Sequence, residues 1–186
     1  MSVNLKPQDV VVALKLCAYP DARGRPPISI LGNELSLSPS EVHGAIGRLR
    51  ASRLLHAPQW RDRPNISALE EFLIHGLKYA FPAERSEVTR GVPTSYAAEP
   101  LKSEIASSND LPPVWPWPEG DTRGIGLEPL YKKVPQAALR DRDLYELLAL
   151  VDAIRDGRTR ERKIAERVLV DRLRKRHGQP QLSTPD

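Results

Sequence analysis

The chain has 186 residues, 40% of them hydrophobic and 28% charged, a balance that supports a folded core and excludes a disordered tail. No apolar run approaches the roughly 18 to 20 residues that cross a bilayer, and the amino end lacks a basic leader with an apolar stretch and cleavage site. A cytoplasmic protein without membrane contact is therefore expected. The net charge of +4 and a pI near 9.3 permit attraction to phosphate without requiring it.

In chain order, the first predicted helix is "KPQDVVVALKLCAYP", with Pro7 in its first turn, Pro20 at its end and Val10, Leu14 and Cys17 on one stripe. The single cysteine, Cys17, excludes an internal disulfide and reads as core filling. Ser29 is expected to cap a short second helix, "ILGNEL". Ser38, Pro39 and Glu41 then form a capping box that opens a third helix, whose Val42, Ala45, Ile46 and Leu49 face a core. "LLHAPQWRDRPNIS" predicts a short β-hairpin limited by Pro58 and Pro64. Asn65 or Ser67 can cap the next helix, "ISALEEFLIHGLKYAF", which buries Ile66, Leu69, Leu73 and Leu77 and stops at Pro82. Residues 1–81 thus carry the element order of a winged helix-turn-helix.

Composition changes beyond Phe81. Residues 82–139 are rich in proline, with glycines at 91, 120, 124 and 126, and predict an extended connector. Tyr96, Trp115, Trp117, Leu130 and Tyr131 suggest that this connector is ordered by packing. Residues 140–178 return to helix. Leu144, Leu147, Leu148, Val151 and Ile154 mark the apolar face of one helix, with Asp143 as cap and Gly157 as break. Ile164, Ala165, Val168, Leu169 and Leu173 mark that of a second, with Arg160, Lys163, Arg167 and Arg174 opposite. This region is expected to serve dimerisation or partner binding, and residues 179–186 to form a flexible tail. The expected fold class is mainly α: a winged helix-turn-helix domain with a short β-hairpin wing, a proline-rich extended connector and a carboxy-terminal helical pair.

The third helix carries the functional signal. Opposite its core stripe lie Ser40, Gly44, Gly47 and Ala51, flanked by Glu41 and Arg48 on one edge and by His43 and Arg50 on the other. Each glycine in a helix interior costs about 1 kcal/mol relative to alanine, so close approach by another surface is the natural reason for two. In the second helix of a helix-turn-helix, side chains near the amino end reach base edges in the major groove. The candidate DNA-binding residues are Ser38, Ser40, His43, Gly44, Gly47, Arg48 and Arg50, with Arg61 and Arg63 of the hairpin meeting backbone or minor groove. The competing reading is that the glycines admit another protein helix or are merely tolerated, and that the arginines are solvated.

The run "ISILGNELSLSPSEVHGAIGRLRASRLL" resembles the winged helix-turn-helix of bacterial MarR-type regulators, and with the hairpin and following helix the likeness spans residues 28–80. Downstream blocks such as "PVWPWPEGDTRGIGLEPLY" resemble uncharacterised bacterial proteins carrying the same head. The resemblance implies binding of double-stranded DNA, usually as a homodimer, and transcriptional control. The chain departs from that family in lacking long dimerising helices at its amino end. A dimer must therefore use the first helix, the connector or the carboxy-terminal helices.

Other chemistry has little support. His43, His56, His75 and His177 have no cysteine or carboxylate at metal-ligand spacing, and no glycine-rich loop joins a strand to a helix in nucleotide-binding form. Thr94 and Ser95 lack an arguable base. No catalytic residue, metal or cofactor is expected, and the protein is read as a non-enzyme. The arginines of "RDGRTRERK", Arg155 to Lys163, interleave with acids and favour ion pairs on a solvated helix over a phosphate grip. The leading expectation is a sequence-specific DNA-binding transcriptional regulator, a dimeric repressor. The alternative is an antitoxin or adaptor that binds a partner protein through residues 82–178, using a proline-rich arm.

Overall fold

The computed structural model describes residues 4–19, 25–56, 62–105 and 110–176. It is mainly helical with one small three-stranded sheet. Among the described residues no helix is long and apolar enough to cross a membrane.

Helix α1 (Pro7–Ala18) opens on Pro7, and the Lys6 amide donates to the Asp9 carboxylate at 2.9 Å. Val10, Val11, Val12, Ala13, Leu14, Leu16 and Cys17 are all buried, so α1 is enclosed on nearly every side rather than along a stripe. Helix α2 (Ile28–Leu35) starts one residue before the expected cap at Ser29. Its cap is Pro27, whose carbonyl accepts from the amides of Ile30 and Leu31 at 3.1 Å each.

The path from α2 to α3 (Pro39–Ala51) is short. Ser36 takes a left-handed conformation, φ 54°, and the Leu37 amide returns to the Gly32 carbonyl at 2.8 Å. A side chain at Gly32 would meet the Leu37 carbonyl oxygen at 2.7 Å, so glycine permits this tight approach. Ser38 forms the expected capping box: its hydroxyl accepts from the Glu41 amide at 3.3 Å, and its own amide donates to the Glu41 carboxylate at 2.8 Å.

Beyond α3 the expected hairpin is held by one antiparallel bridge, Leu55 to Pro64, with the His56 amide donating to the Arg63 carbonyl at 2.9 Å. Residues 57–61 lie outside the described residues. Asn65 caps α4 (Ile66–Glu71), accepting from the Ala68 amide. The single helix expected from "ISALEEFLIHGLKYAF" is interrupted: a π-helical turn, Phe72–Gly76, separates α4 from α5 (Leu77–Ala80).

The stretch expected as an extended connector is folded. Strands β1 (Arg85–Pro93), β2 (Pro113–Pro116) and β3 (Thr122–Leu127) close on one another, β1 antiparallel to both partners and β2 parallel to β3. A short helix, α6 (Leu101–Glu104), lies between β1 and β2. Pro93, Pro113 and Pro116 sit at strand ends and the glycines at pinch points: a Cβ at Gly91 would fall 2.0 Å from the Trp115 carbonyl oxygen, and one at Gly124 2.1 Å from that of Pro112.

Helices α7 (Val134–Arg140), α8 (Arg142–Asp156) and α9 (Thr159–Arg176) complete the described residues. Asp141, not Asp143, caps α8, accepting from the Leu144 amide at 3.1 Å, while Asp143 pairs with Arg176. One apolar core runs from α1 and α3 through Trp115 to α8 and α9, so it does not stop at the expected segment boundaries. Lys15 of α1 bridges Glu34 of α2 and Asp141 ahead of α8, adding a polar tie to that core.

A buried polar cluster fastens the sheet to α8. Asp152 accepts from the Thr94 hydroxyl at 2.8 Å, the Trp115 indole at 2.6 Å and Arg155 at 2.8 Å, and Arg155 also donates to the Phe81 and Pro82 carbonyls. Beside it, Ser95 is buried at φ 53° and its hydroxyl lacks a partner among the described residues. A left-handed conformation costs a non-glycine residue about 1–2 kcal/mol, so Ser95→Gly is expected to raise stability by about 0.5–1 kcal/mol, read as a higher melting temperature.

Candidate nucleic-acid interface

Helix α3 is held from behind by Val42, Ala45, Ile46 and Leu49, all buried against α1 and α2. That leaves Ser38, Ser40, Glu41, His43, Gly47 and Ala51 exposed on its other side. Gly47 is the open centre of this face, because a Cβ there would meet nothing within 4 Å. Among the described residues no intramolecular contact explains a glycine at 47. Ser38 serves the capping box, while Ser40 and His43 point to solvent from the first two turns.

Gly44 differs from Gly47. A Cβ at 44 would lie 3.1 Å from Nη1 of Arg48, whose side chain runs back along the helix over the glycine. Arg48 is not a solvated shoulder: its Nε and Nη2 donate to the two carboxylate oxygens of Asp9, each at 2.7 Å, and Asp9 is 0% exposed. Arg50 is likewise engaged. Its Nε and Nη2 donate to Asp62 at 3.0 and 2.7 Å, and Arg25 approaches the same carboxylate at 3.2 Å. The competing reading, in which both arginines are simply solvated, does not describe them: both are paired with carboxylates from other parts of the chain. Their pairing stitches α3 to α1 and to the return of the hairpin. Arg63 is exposed beside that hairpin, and Arg61 lies outside the described residues.

Two basic residues that sequence reasoning did not single out stand near the start of α3. The Lys133 ammonium and the Tyr131 hydroxyl both donate to the Ser36 carbonyl, at 3.1 and 3.3 Å, and Ser36 also bonds Gln136. Lys132 beside them is exposed. The only signal for them is the adjacent pair of lysines, and nothing in their local pattern says that they meet a turn nearly a hundred positions earlier. His177, too, lies outside the described residues. Of the arginines in "RDGRTRERK", Arg155 belongs to the core cluster, Arg158 pairs with Asp110 and Arg162 with Glu166, leaving Arg160 exposed.

The Glu41 carboxyl is held below its ordinary value, first by the Ser38 amide and hydroxyl, and then by the nearby Lys133 and Lys132. A lowered value in the folded state means that the contact stabilises above the unfolded value and is lost as pH falls through the folded one. The stability advantage of the wild type over Glu41→Gln is therefore expected to shrink between about pH 6 and about pH 3, measured as paired thermal melts.

Comparison with protein-family models, curated proteins and solved structures finds no match. The chemistry of this surface therefore rests on its own geometry. It is a convex, small-residue helix face with hydroxyl and imidazole groups toward its amino end and cations on its flanks.

Proposed function

We propose that this protein is a sequence-specific, double-stranded-DNA-binding transcriptional regulator of MarR-like, winged helix-turn-helix type. In this reading α2 crosses the DNA backbone and α3 enters the major groove. Ser40 and His43 reach base edges, and the amide groups at the start of α3 favour a phosphate. Lys132, Lys133 and Arg63 flank the helix as backbone contacts, which position the protein without reading sequence. A cytoplasmic homodimer would place two such helices on an inverted repeat and repress transcription by occluding a promoter.

The observation that carries the reading is the open face of α3 around Gly47, in which a helix-weakening residue is retained where no internal packing asks for it. Gly47→Glu tests it, because a carboxylate there enters open space and leaves the core alone. The variant is expected to melt at or above the wild-type temperature and to bind duplex DNA at least about tenfold more weakly, as a like charge set against phosphates must. Unchanged binding by Gly47→Glu in a fluorescence anisotropy titration would remove α3 from the interface. The antitoxin or adaptor reading has the proline-rich arm and the carboxy-terminal helices bind a partner protein. Residues of that arm lie in the sheet and the shared core, so no specific observation favours it.

A further inference from the structure

The pairing of Arg48 has a use beyond holding α3 against α1. Asp9 is buried in the first turn of α1, and its carboxylate accepts three bonds: from the Lys6 amide at 2.9 Å, and from Nε and Nη2 of Arg48 at 2.7 Å each. This two-point fork fixes the plane of the guanidinium. Neither bond to Asp9 uses Nη1, which lies over the half-buried Gly44, and the Arg48 side chain keeps 26% of its exposure.

Gly44 fits the same arrangement. Alanine is the better helix former, yet its methyl group would press against Nη1 at 3.1 Å. An unrestrained arginine tip would swing aside, but this one is pinned by Asp9. Glycine at 44 therefore preserves the position of one nitrogen at the expense of helix stability.

We infer that Asp9 is a positioning residue, which holds Arg48 by one edge so that Nη1 is presented over Gly44 to an acceptor on a base edge in the major groove. This deepens the DNA-binding reading and rests on it. A guanine O6 or N7 is the acceptor that arginine most often meets there. Because the fork is already immobilised by the protein, the contact orders little further side chain on binding. A phosphate oxygen is the other acceptor of the same chemistry, and the two differ in what they do to specificity.

The test begins with selection from a randomised duplex pool by the full chain. Affinities for the selected duplex and a scrambled one are then measured across a salt series for wild type, Gly44→Ala and Asp9→Asn. The inference expects both variants to lower the ratio of the two affinities about tenfold with little change in salt slope. Each ratio is read well below the melting temperature of the variant concerned, so that a loss is not one of folding. If Asp9→Asn does not fold, Gly44→Ala decides alone. An unchanged ratio overturns the inference and leaves the DNA reading standing. So does an equal loss on both duplexes with a shallower slope, which would mark a phosphate contact, or a wild type that binds duplexes without preference. A wild type that binds no duplex overturns the DNA reading itself.

Discussion

Replacing Asp152 by alanine is expected to destabilise the fold by about 3–5 kcal/mol, the range for removing one partner of a buried ion pair. Arg155, with a side chain 3% exposed, would lose its carboxylate, and the Trp115 indole and Thr94 hydroxyl would lose their common acceptor. Thr94 and Trp115 are fully buried, so no solvent compensates those two donors, while Arg155 keeps the Phe81 and Pro82 carbonyls. Asp152→Asn should cost less, since the amide oxygen still accepts one of the neutral donors. Urea denaturation of the three proteins decides the matter. A loss below about 1 kcal/mol for Asp152→Ala would mean that the cluster does not join the sheet to α8 as described.

The second large effect is expected at Arg48. Arg48→Ala leaves the Asp9 carboxylate buried with the Lys6 amide as its remaining partner among the described residues, and a loss of about 2–4 kcal/mol follows, somewhat below the fully buried case because Arg48 is partly exposed. The double variant Asp9→Ala/Arg48→Ala should be more stable than the sum of the single changes implies, because it removes the stranded charge. Arg50→Ala provides the contrast. Asp62 retains Arg25 at 3.2 Å, so the cost should stay under about 1 kcal/mol. An equal loss at both arginines would contradict the difference in burial. The practical consequence concerns DNA binding: a defect in Arg48→Ala reports on the interface only when measured well below the variant's own melting temperature.

The local signals in the sequence were legible where they act over a few residues. Pro7 opening α1, the Ser38 and Glu41 capping box, the Asn65 cap and the buried stripe of α3 all depend on neighbours one to seven positions away. Ser29 misled because a hydroxyl before an apolar run looks like a cap, whereas the Pro27 carbonyl takes that place. The sheet was hidden for a different reason. Its prolines and glycines disfavour regular structure locally, and they make sense only once Gly91 meets Trp115 and Gly124 meets Pro112 across strands distant in sequence.

The candidate interface was legible by face but not by atom. Helical spacing placed Ser40, Gly44, Gly47 and Ala51 on one side, and the exposed face includes Ser40, Gly47 and Ala51. It gave the direction in which the Arg48 side chain leaves the helix, but an arginine tip travels several bonds further, and a partner on α1 decides where it ends. The same holds for Lys132 and Lys133, whose place beside the turn before α3 follows from the packing of α7 on α2.

The most direct measurement of the central claim is a salt titration of the intact protein with duplex DNA, followed by fluorescence anisotropy. Binding is expected at about 50 mM salt and weakens steeply by about 200 mM, with log K linear in log salt and a slope near −0.9 for each phosphate contacted. Absence of binding at low salt, or binding indifferent to salt, would contradict it.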